Sequence, residues 1–524
     1  MDLRTLVPRL EQQTGHSVIT FEKGRVVTRD HQTVYADVQA AAARLTDWGL
    51  KPGMRAGIRA PNSYEWVIYD LALLHLRAVS VAFTDDFAEA SAEDLAEKYS
   101  LSLLLVSAKE KSGGGERPVF VAYLDAQNES VKAIDRGETP PDSDFDRPGL
   151  IFSSGSSGGL KGLILNRRGI EASVDAFAQA VVPQDDDCIL LFLPISNFQQ
   201  RLIYYAAFWY GVDVIVTDPN RLFRALKDLH PTVLIAPPVL YETFETRFYN
   251  LPRWKRVAAE FAADVALKTP LPGLRAKMAA AIFKQAYETL GGRMRFMVTG
   301  MAPIKRSTLN FFRRMQLPLF ETYGLIECGS VALNLPAARR LGSVGRLLAG
   351  VNVEIAEDGE IIVKKEHTIS VGYFECADGE AERTFIGGNR VATGDIGRFD
   401  EDGYLYLTGR KKEIIVTGGG EKVHPEALEA EIDACVDVER SVVFASDAIP
   451  ALISVILPKK PGDAEAKSRI EKFVENINGS RPSMSIGKVI FTDVAFTREN
   501  GFLRPNLKLD RKKIAQHFQA EAAE

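Results

Sequence analysis

Residues 151–162 read IFSSGSSGGLKG: the apolar pair Ile151-Phe152, then hydroxyls and glycines ending on Lys161 and Gly162. Glycines let a backbone approach phosphate oxygens closely, successive N–H groups form an anion-binding concavity, and hydroxyls add donors. Lys161 supplies a compensating charge. A Walker loop requires Gly-Lys-Ser/Thr, whereas here Lys161 precedes Gly162, so this is not a P-loop. A flexible Ser/Gly linker has the same composition. The flanking apolar strands favour an ordered loop, since linkers are seldom embedded between strands.

Working outward, short buried strands alternate with helix-like segments. Helical periodicity spans 33–48 and 64–77, and strands are expected at 55–60, 101–106, 118–123, 188–193, 212–216 and 232–236. That alternation predicts an α/β architecture with largely parallel sheets flanked by helices. From about residue 351 the texture changes to short alternating strands, at 353–355, 360–363, 404–407 and 413–416. Beyond them a helix at 425–432, strands at 441–445, 452–457 and 488–492, and helices at 467–477 and 511–522 predict a compact α+β unit. The expected division is a large N-terminal domain, 1–409, and a small mobile C-terminal domain, 410–524. No internal repeat is visible.

The chain has 524 residues, too many for one hydrophobic core, and its 46% hydrophobic and 25% charged residues are those of a soluble globular protein. A net charge of −5 gives no electrostatic footprint for nucleic acid. Four scattered cysteines without a CxxC point to a reduced compartment and away from zinc or a disulfide framework. The first residues, MDLRTLVPRLEQQTGHS, lack an apolar signal region, and no run of about eighteen apolar residues could span a membrane. A cytoplasmic protein is expected; oligomeric state is not legible.

Four further blocks carry chemistry. Residues 294–304 (MRFMVTGMAPI) and 319–328 (LFETYGLIEC) read as strands ending near Gly300 and at Tyr323-Gly324, and open α/β sheets bind ligands beyond such ends. An aromatic before Gly suits stacking on a purine, and Glu327 is a hard-oxygen ligand for Mg²⁺. In 391–398 (VATGDIGR) and 404–416 (YLYLTGRKKEIIV), Asp395 on a tight loop can accept both ribose hydroxyls with an Arg in support. Residues 417–429 (TGGGEKVHPEALE) form a Gly-rich turn before a helix with Pro425 at its first position. In 500–511 (NGFLRPNLKLDR), Lys508 precedes a charged helix. Singly, each block is also an ordinary turn with surface charges.

Jointly, in order and spacing, the five blocks resemble the adenylate-forming enzymes: acyl-CoA synthetases, luciferases and peptide-synthetase adenylation domains. The likeness covers residues 20–515 and is strongest to long-chain fatty acyl-CoA synthetases. It implies ATP-dependent activation of a carboxylic acid to an acyl-adenylate, then transfer to a thiol, with ATP, Mg²⁺ and coenzyme A. Around the phosphates it puts Ser153, Ser154, Gly155, Ser156, Ser157, Gly158 and Lys161; at adenine and ribose, Gly300, Met301, Glu321, Thr322, Tyr323, Asp395 and Arg410. Glu327 is the implied metal ligand and a catalytic group, Lys508 the catalytic lysine, Lys412 the hinge. Gly418, Gly419, Gly420 and His424 would line a thiol channel, and Asn197, Phe198, Gly324 and Leu325 an acyl pocket within 198–210, 237–241, 323–325 and 347–350.

The chain departs from the family pattern at Leu160 (usually Pro), Asn197 (often His), Gln200 (usually Glu), Ile326 (usually Thr) and Asn506 (often Thr). Three readings follow: an acyl-CoA ligase; a biosynthetic acyl-AMP ligase that passes the acyl group to a carrier protein or an amine; and a nucleotide-binding protein without catalysis. Presence of Lys508 argues against the third, since binding alone would not require it.

Overall fold

The computed structural model describes residues 1–108, 118–126, 128, 130–135, 145–154, 160–416, 422–446, 449–480, 485–497, 499–503, 509–519 and 521. Two large sheets dominate. The first has nine strands, ordered Arg346–Leu347, Gly329–Leu333, Leu319–Leu325, Phe296–Thr299, Val233–Ala236, Cys188–Leu191, Asp213–Val216, Ser17–Glu22 and Arg25–Asp30. From Leu319–Leu325 to Ser17–Glu22 every pairing is parallel, so six carboxyl ends lie along one edge. Segments such as Phe296–Thr299 (FMVT) are buried at every position, which is how a strand covered on both faces reads.

The second sheet has seven strands, ordered Ser370–Glu375, Leu160–Leu165, Gly149–Ser154, Val79–Ala82, Arg55–Arg59, Leu101–Val106 and Val121–Tyr123. Gly149–Ser154 and Leu160–Leu165 form an antiparallel hairpin with Ser153 opposite Lys161. The 151–162 stretch is therefore a hairpin whose arms are sheet strands. Helices cover the sheets, and their starts follow local chemistry. The Asp30 carboxylate accepts the Thr33 N–H (2.7 Å) at the start of His31–Asp47, and the Ser63 hydroxyl accepts the Trp66 N–H (3.1 Å) at the start of Tyr64–His75.

A four-stranded antiparallel sheet follows: Val351–Ile355, Glu360–Lys365, Arg390–Phe399 and Leu405–Arg410. After the turn Lys411–Glu413, strands Val438–Ser446, Ile449–Pro458 and Ile486–Phe491 pack with helices Pro425–Ile432, Ala464–Ser480 and Arg511–His517. The two apolar clusters of this unit draw only on residues from 415 onward. Val438, Val443, Ile456 and Ile470 are fully buried there, each worth about 1.5–3 kcal/mol. The protein is thus a mixed α/β molecule with a large sheet-and-helix body and a small α+β unit.

The structure corrects several expectations. The segment 413–416 is not one strand: Glu413 closes a helical turn, where it receives an ion pair from Arg511 (2.5 Å), and only Ile415–Val416 pairs. The helix Arg511–His517 is interrupted by a turn at Phe518, and Gln519 and Glu521 beyond it are helical again. Asp395 sits inside the long strand Arg390–Phe399 rather than on a tight loop, with Gly394 at φ +71° providing the local irregularity. The helices Arg253–Leu267, Pro272–Ile282 and Lys284–Thr289 had no counterpart in the sequence reading.

Candidate active site

Lys161 leaves the hairpin arm next to Leu160 and is nearly buried, with 12% of its side chain exposed. Its ammonium contacts the Glu380 carboxylate at 2.6 Å. Lys412, in the turn after the four-stranded sheet, reaches the same oxygen at 3.3 Å. Burial alone would push the Glu380 carboxyl up, but the two lysines outweigh it and hold the group below the ordinary glutamate value. One carboxylate thus serves two cations, leaving a local positive surplus suited to phosphate oxygens. Lys161 also lies 5.3 Å from the centre of the Tyr373 ring, and the Tyr373 hydroxyl donates to Glu327 Oε1 at 2.9 Å. Lys161, Glu327 and Lys412, expected at the phosphates, the metal and the hinge, are therefore joined through Tyr373 and Glu380. Sequence reasoning missed both. Glu380 follows Asp378-Gly379 in a stretch with no motif, so nothing short of tertiary contact marks it.

Glu327 forms no ion pair among the described residues, and no cluster of three metal-ligating side chains occurs among them. A single carboxylate fits Mg²⁺, which keeps waters and phosphate oxygens as its remaining ligands. The neighbouring Ile326 packs its side chain against the main core while its carbonyl accepts the Ser370 hydroxyl (3.1 Å). No hydroxyl stands at that position.

Asp395 is 6% exposed, accepts the Tyr323 phenol at 2.8 Å and forms an ion pair with Arg410 Nε at 3.0 Å. Burial alone would lower the Arg410 value; Asp395 and then Glu413 more than offset this and keep the guanidinium charged. Tyr323 is 7% exposed, so its ring is fixed within the wall rather than free on the surface. Gly300 follows the neighbouring strand Phe296–Thr299, where a Cβ would stand 2.8 Å from Thr322 Cγ2 and would force that side chain to move. Met301 then takes φ +70°, an uncommon conformation for a non-glycine residue. Thr322 donates to the Ala332 carbonyl at 2.9 Å, and Glu321 accepts the Gly342 N–H at 3.3 Å. Burial pushes the Glu321 carboxyl up to about 8, so it is protonated at neutral pH.

His424 holds the first flanking position of the helix Pro425–Ile432; burial holds its imidazole below the ordinary value, and Nδ1 is buried without a hydrogen-bond partner among the described residues. Gly409 passes so close that a Cβ would lie 2.9 Å from that nitrogen. Gly155, Ser156, Ser157, Gly158, Gly418, Gly419, Gly420, Lys508 and the Ser154 side chain lie outside the described residues. Cys328, beside Glu327, has its thiol pushed up to about 12 by burial, so it does not supply a nucleophile.

The expected acyl pocket divides. Asn197, Gly324 and Leu325 are partly exposed, whereas Phe198 is 2% exposed in the core. Behind it the helix Phe198–Tyr210 turns a polar knot inward: Asp70 accepts Arg201 (2.6 Å), Tyr205 (2.7 Å), Ser80 (3.0 Å) and Tyr204. Tyr241 likewise donates to the Leu234 (3.2 Å) and Val298 (3.0 Å) carbonyls and belongs to the core. Most of 198–210 and Tyr241 hold the fold.

Glu327 just beyond the end of the parallel strand Leu319–Leu325, Lys161 on the antiparallel hairpin of the second sheet and buried Asp395 in the four-stranded sheet are polar groups of the kind an α/β enzyme uses on a charged substrate. The chain belongs to the AMP-binding enzyme family, whose model matches residues 9–374. It is 30% identical to the long-chain-fatty-acid–CoA ligase FadD15 of Mycobacterium bovis, over 92% of this chain and 90% of that protein. Human long-chain-fatty-acid–CoA ligase 1 is 26% identical over 92% of this chain and 80% of its own length. Among solved structures, o-succinylbenzoate CoA synthetase of Bacillus subtilis with its acyl-adenylate intermediate superposes with a TM-score of 0.69 at 19% identity, covering 98% of each chain.

Proposed function

We propose that the protein is an ATP-dependent acid–thiol ligase that activates a long-chain fatty acid as its acyl-adenylate and transfers it to coenzyme A. Family membership and the two relatives at 26–30% identity over most of the chain support the reading. The observation that carries it is Asp395, a buried carboxylate fixed by Tyr323 and Arg410 at the position where the family likeness implies a ribose diol. In the first half-reaction a carboxylate oxygen of the acid bonds to the α-phosphorus, the bond to the bridging oxygen breaks, and pyrophosphate leaves with the electron pair. In the second, a thiolate adds to the acyl carbonyl and AMP leaves. Lys161 would bind phosphate oxygens by exchanging Glu380 for them, and Lys508 would bridge the carboxylate and α-phosphate. Mg²⁺, held by Glu327, would neutralise phosphate charge. Residues 1–409 would form the adenylation domain and 410–524 a lid that turns about Lys412, bringing Gly418–Gly420 and His424 toward the thiol. Four free cysteines suit a cytoplasmic enzyme.

Ile326 and Asn197, where the family has side chains of different chemistry, favour one second reading: an acyl-AMP ligase that delivers to a carrier protein or an amine. Pyrophosphate release across a panel of acids, with CoA, holo-carrier protein or neither, separates the two. Lys508→Ala is expected to slow release by about 10²–10³-fold with ATP binding intact, and Asp395→Ala to raise KM for ATP about tenfold. No ATP-dependent release with any acid would overturn the reading, and unchanged release in Lys508→Ala would remove that residue's role.

A further inference from the structure

Helix Arg253–Leu267 carries its polarity the wrong way round for a surface helix. Ala263 and Ala266 face inward, while Trp254, Val257, Phe261 and Val265, spaced three and four apart, form one stripe on the solvent side. These four are 69%, 53%, 71% and 45% exposed, and Leu271 and Leu274, at the turn into Pro272–Ile282 and in its first turn, are exposed too, at 62% and 48%. Seven of the nineteen exposed large apolar side chains among the described residues fall within 251–274, which scattered surface residues do not do.

The same hairpin is basic. Residues 253–284 hold seven Lys or Arg against Glu260 and Asp264, in a chain whose net charge is −5. Asp264 is already neutralised by Arg314 at 3.1 Å. Arg253, Lys255, Lys268 and Lys277 are exposed around the apolar stripe, and the Lys255 ammonium lies 5.4 Å from the Trp254 ring centre. An apolar, tryptophan-bearing stripe flanked by long cationic side chains complements one environment: apolar side chains enter the acyl boundary, and ammonium groups reach up to phosphate. No helix of the described residues is long and apolar enough to cross a membrane, so the contact is peripheral. The helix Pro238–Tyr249 links the hairpin to the carboxyl end of Val233–Ala236, about 18 Å of helix from the substrate edge of the sheet.

We propose that the helical hairpin 253–282 docks the protein on an anionic lipid bilayer. The proposal needs no assignment of the acid substrate. Flotation of the full chain with phosphatidylcholine vesicles, with and without phosphatidylglycerol, tests it. Binding is expected to be at least about tenfold stronger with phosphatidylglycerol and to weaken as salt rises. Trp254 is the one exposed tryptophan of four, so its emission should shift to the blue on the vesicles, and Trp254→Phe should lose that shift. Trp254→Ser with Phe261→Ser should cut binding about tenfold or more, and Lys255→Glu with Lys277→Glu should abolish the preference for phosphatidylglycerol, both with pyrophosphate release from a soluble acid unchanged. Absence of binding to anionic vesicles, or equal binding by the Trp254→Ser/Phe261→Ser variant, would overturn the proposal. A dimer in solution that this variant dissociates would overturn it too, by showing a second copy on the stripe.

Discussion

His31 starts its helix with a fully buried imidazole; Nδ1 lies 2.7 Å from Gln13 Oε1, and Nε2 is buried without a partner among the described residues. Burial first, and then the neighbouring His16, hold its pKa at about 4, against 6.5 ordinarily; Asp30 opposes this weakly. Between those values the unfolded chain binds a proton that the folded chain refuses. Stability is therefore full above pH 6.5, falls as the pH drops toward 4, and levels off below. At 1.36 kcal/mol per unit, the group is worth roughly 3 kcal/mol across that window. Urea denaturation should show the native chain losing about 2 kcal/mol more than His31→Gln between pH 6.5 and 5. Parallel losses in the two proteins would refute the assignment.

At the scale of elements, Glu380 ties the hairpin arm Leu160–Leu165 to the turn Lys411–Glu413, two segments more than two hundred residues apart in sequence. Its side chain is 5% exposed and that of Lys161 12%, so the pair is sheltered from solvent. Removing the acid leaves the Lys161 ammonium without its counter-charge, which costs roughly 3 kcal/mol in a buried setting. Lys412 is half exposed and adds little to that figure. The carboxyl is held below the ordinary glutamate value, so its contribution is present above about pH 4.5 and is lost as the pH falls through the lowered value. Glu380→Gln should lower the urea midpoint at pH 7 by the corresponding amount with little dependence on salt. A midpoint equal to that of the native chain would sink the claim. The sequence shows each arm as a motif, yet an acid in an unremarkable turn has no signal of its own.

Over the whole molecule, the small unit touches the body through Arg440 on Glu242, Lys305 on the Glu439 carbonyl, and Lys459 over the Tyr249 ring at 4.6 Å. Glu242 is 7% exposed and its Oε1 is already unpartnered, so Arg440 is its only described counter-charge apart from longer-range contacts. Arg440→Ala should loosen the small unit and speed proteolytic cleavage between 411 and 423 about tenfold, equivalent to ~1.4 kcal/mol. Adding Glu242→Ala should restore part of the protection, because Glu242 is then no longer stranded, while buried Asp433, 3.9 Å from Arg440, still loses that cation. Cleavage at the native rate in the single variant would show that other contacts hold the arrangement.

By itself, the sequence determined the α/β class, the helix and strand alternation and the antiparallel texture beyond residue 351, and it named the candidate site residues. Those features are local: hydrophobic period, glycine spacing and capping residues act within a few positions of one another. Tertiary structure alone decided that Glu380 and Tyr373 join Lys161, Lys412 and Glu327, that Asp395 lies in a strand held by Tyr323, and that Arg201, Tyr204 and Tyr205 of Phe198–Tyr210 converge on Asp70. It also decided which side of Arg253–Leu267 meets solvent. A helical stripe read from sequence shows that apolar residues share a face, but only packing says whether that face looks inward. Charge pairing behaves the same way, because the partner of a buried ion is chosen by where the chain returns in space.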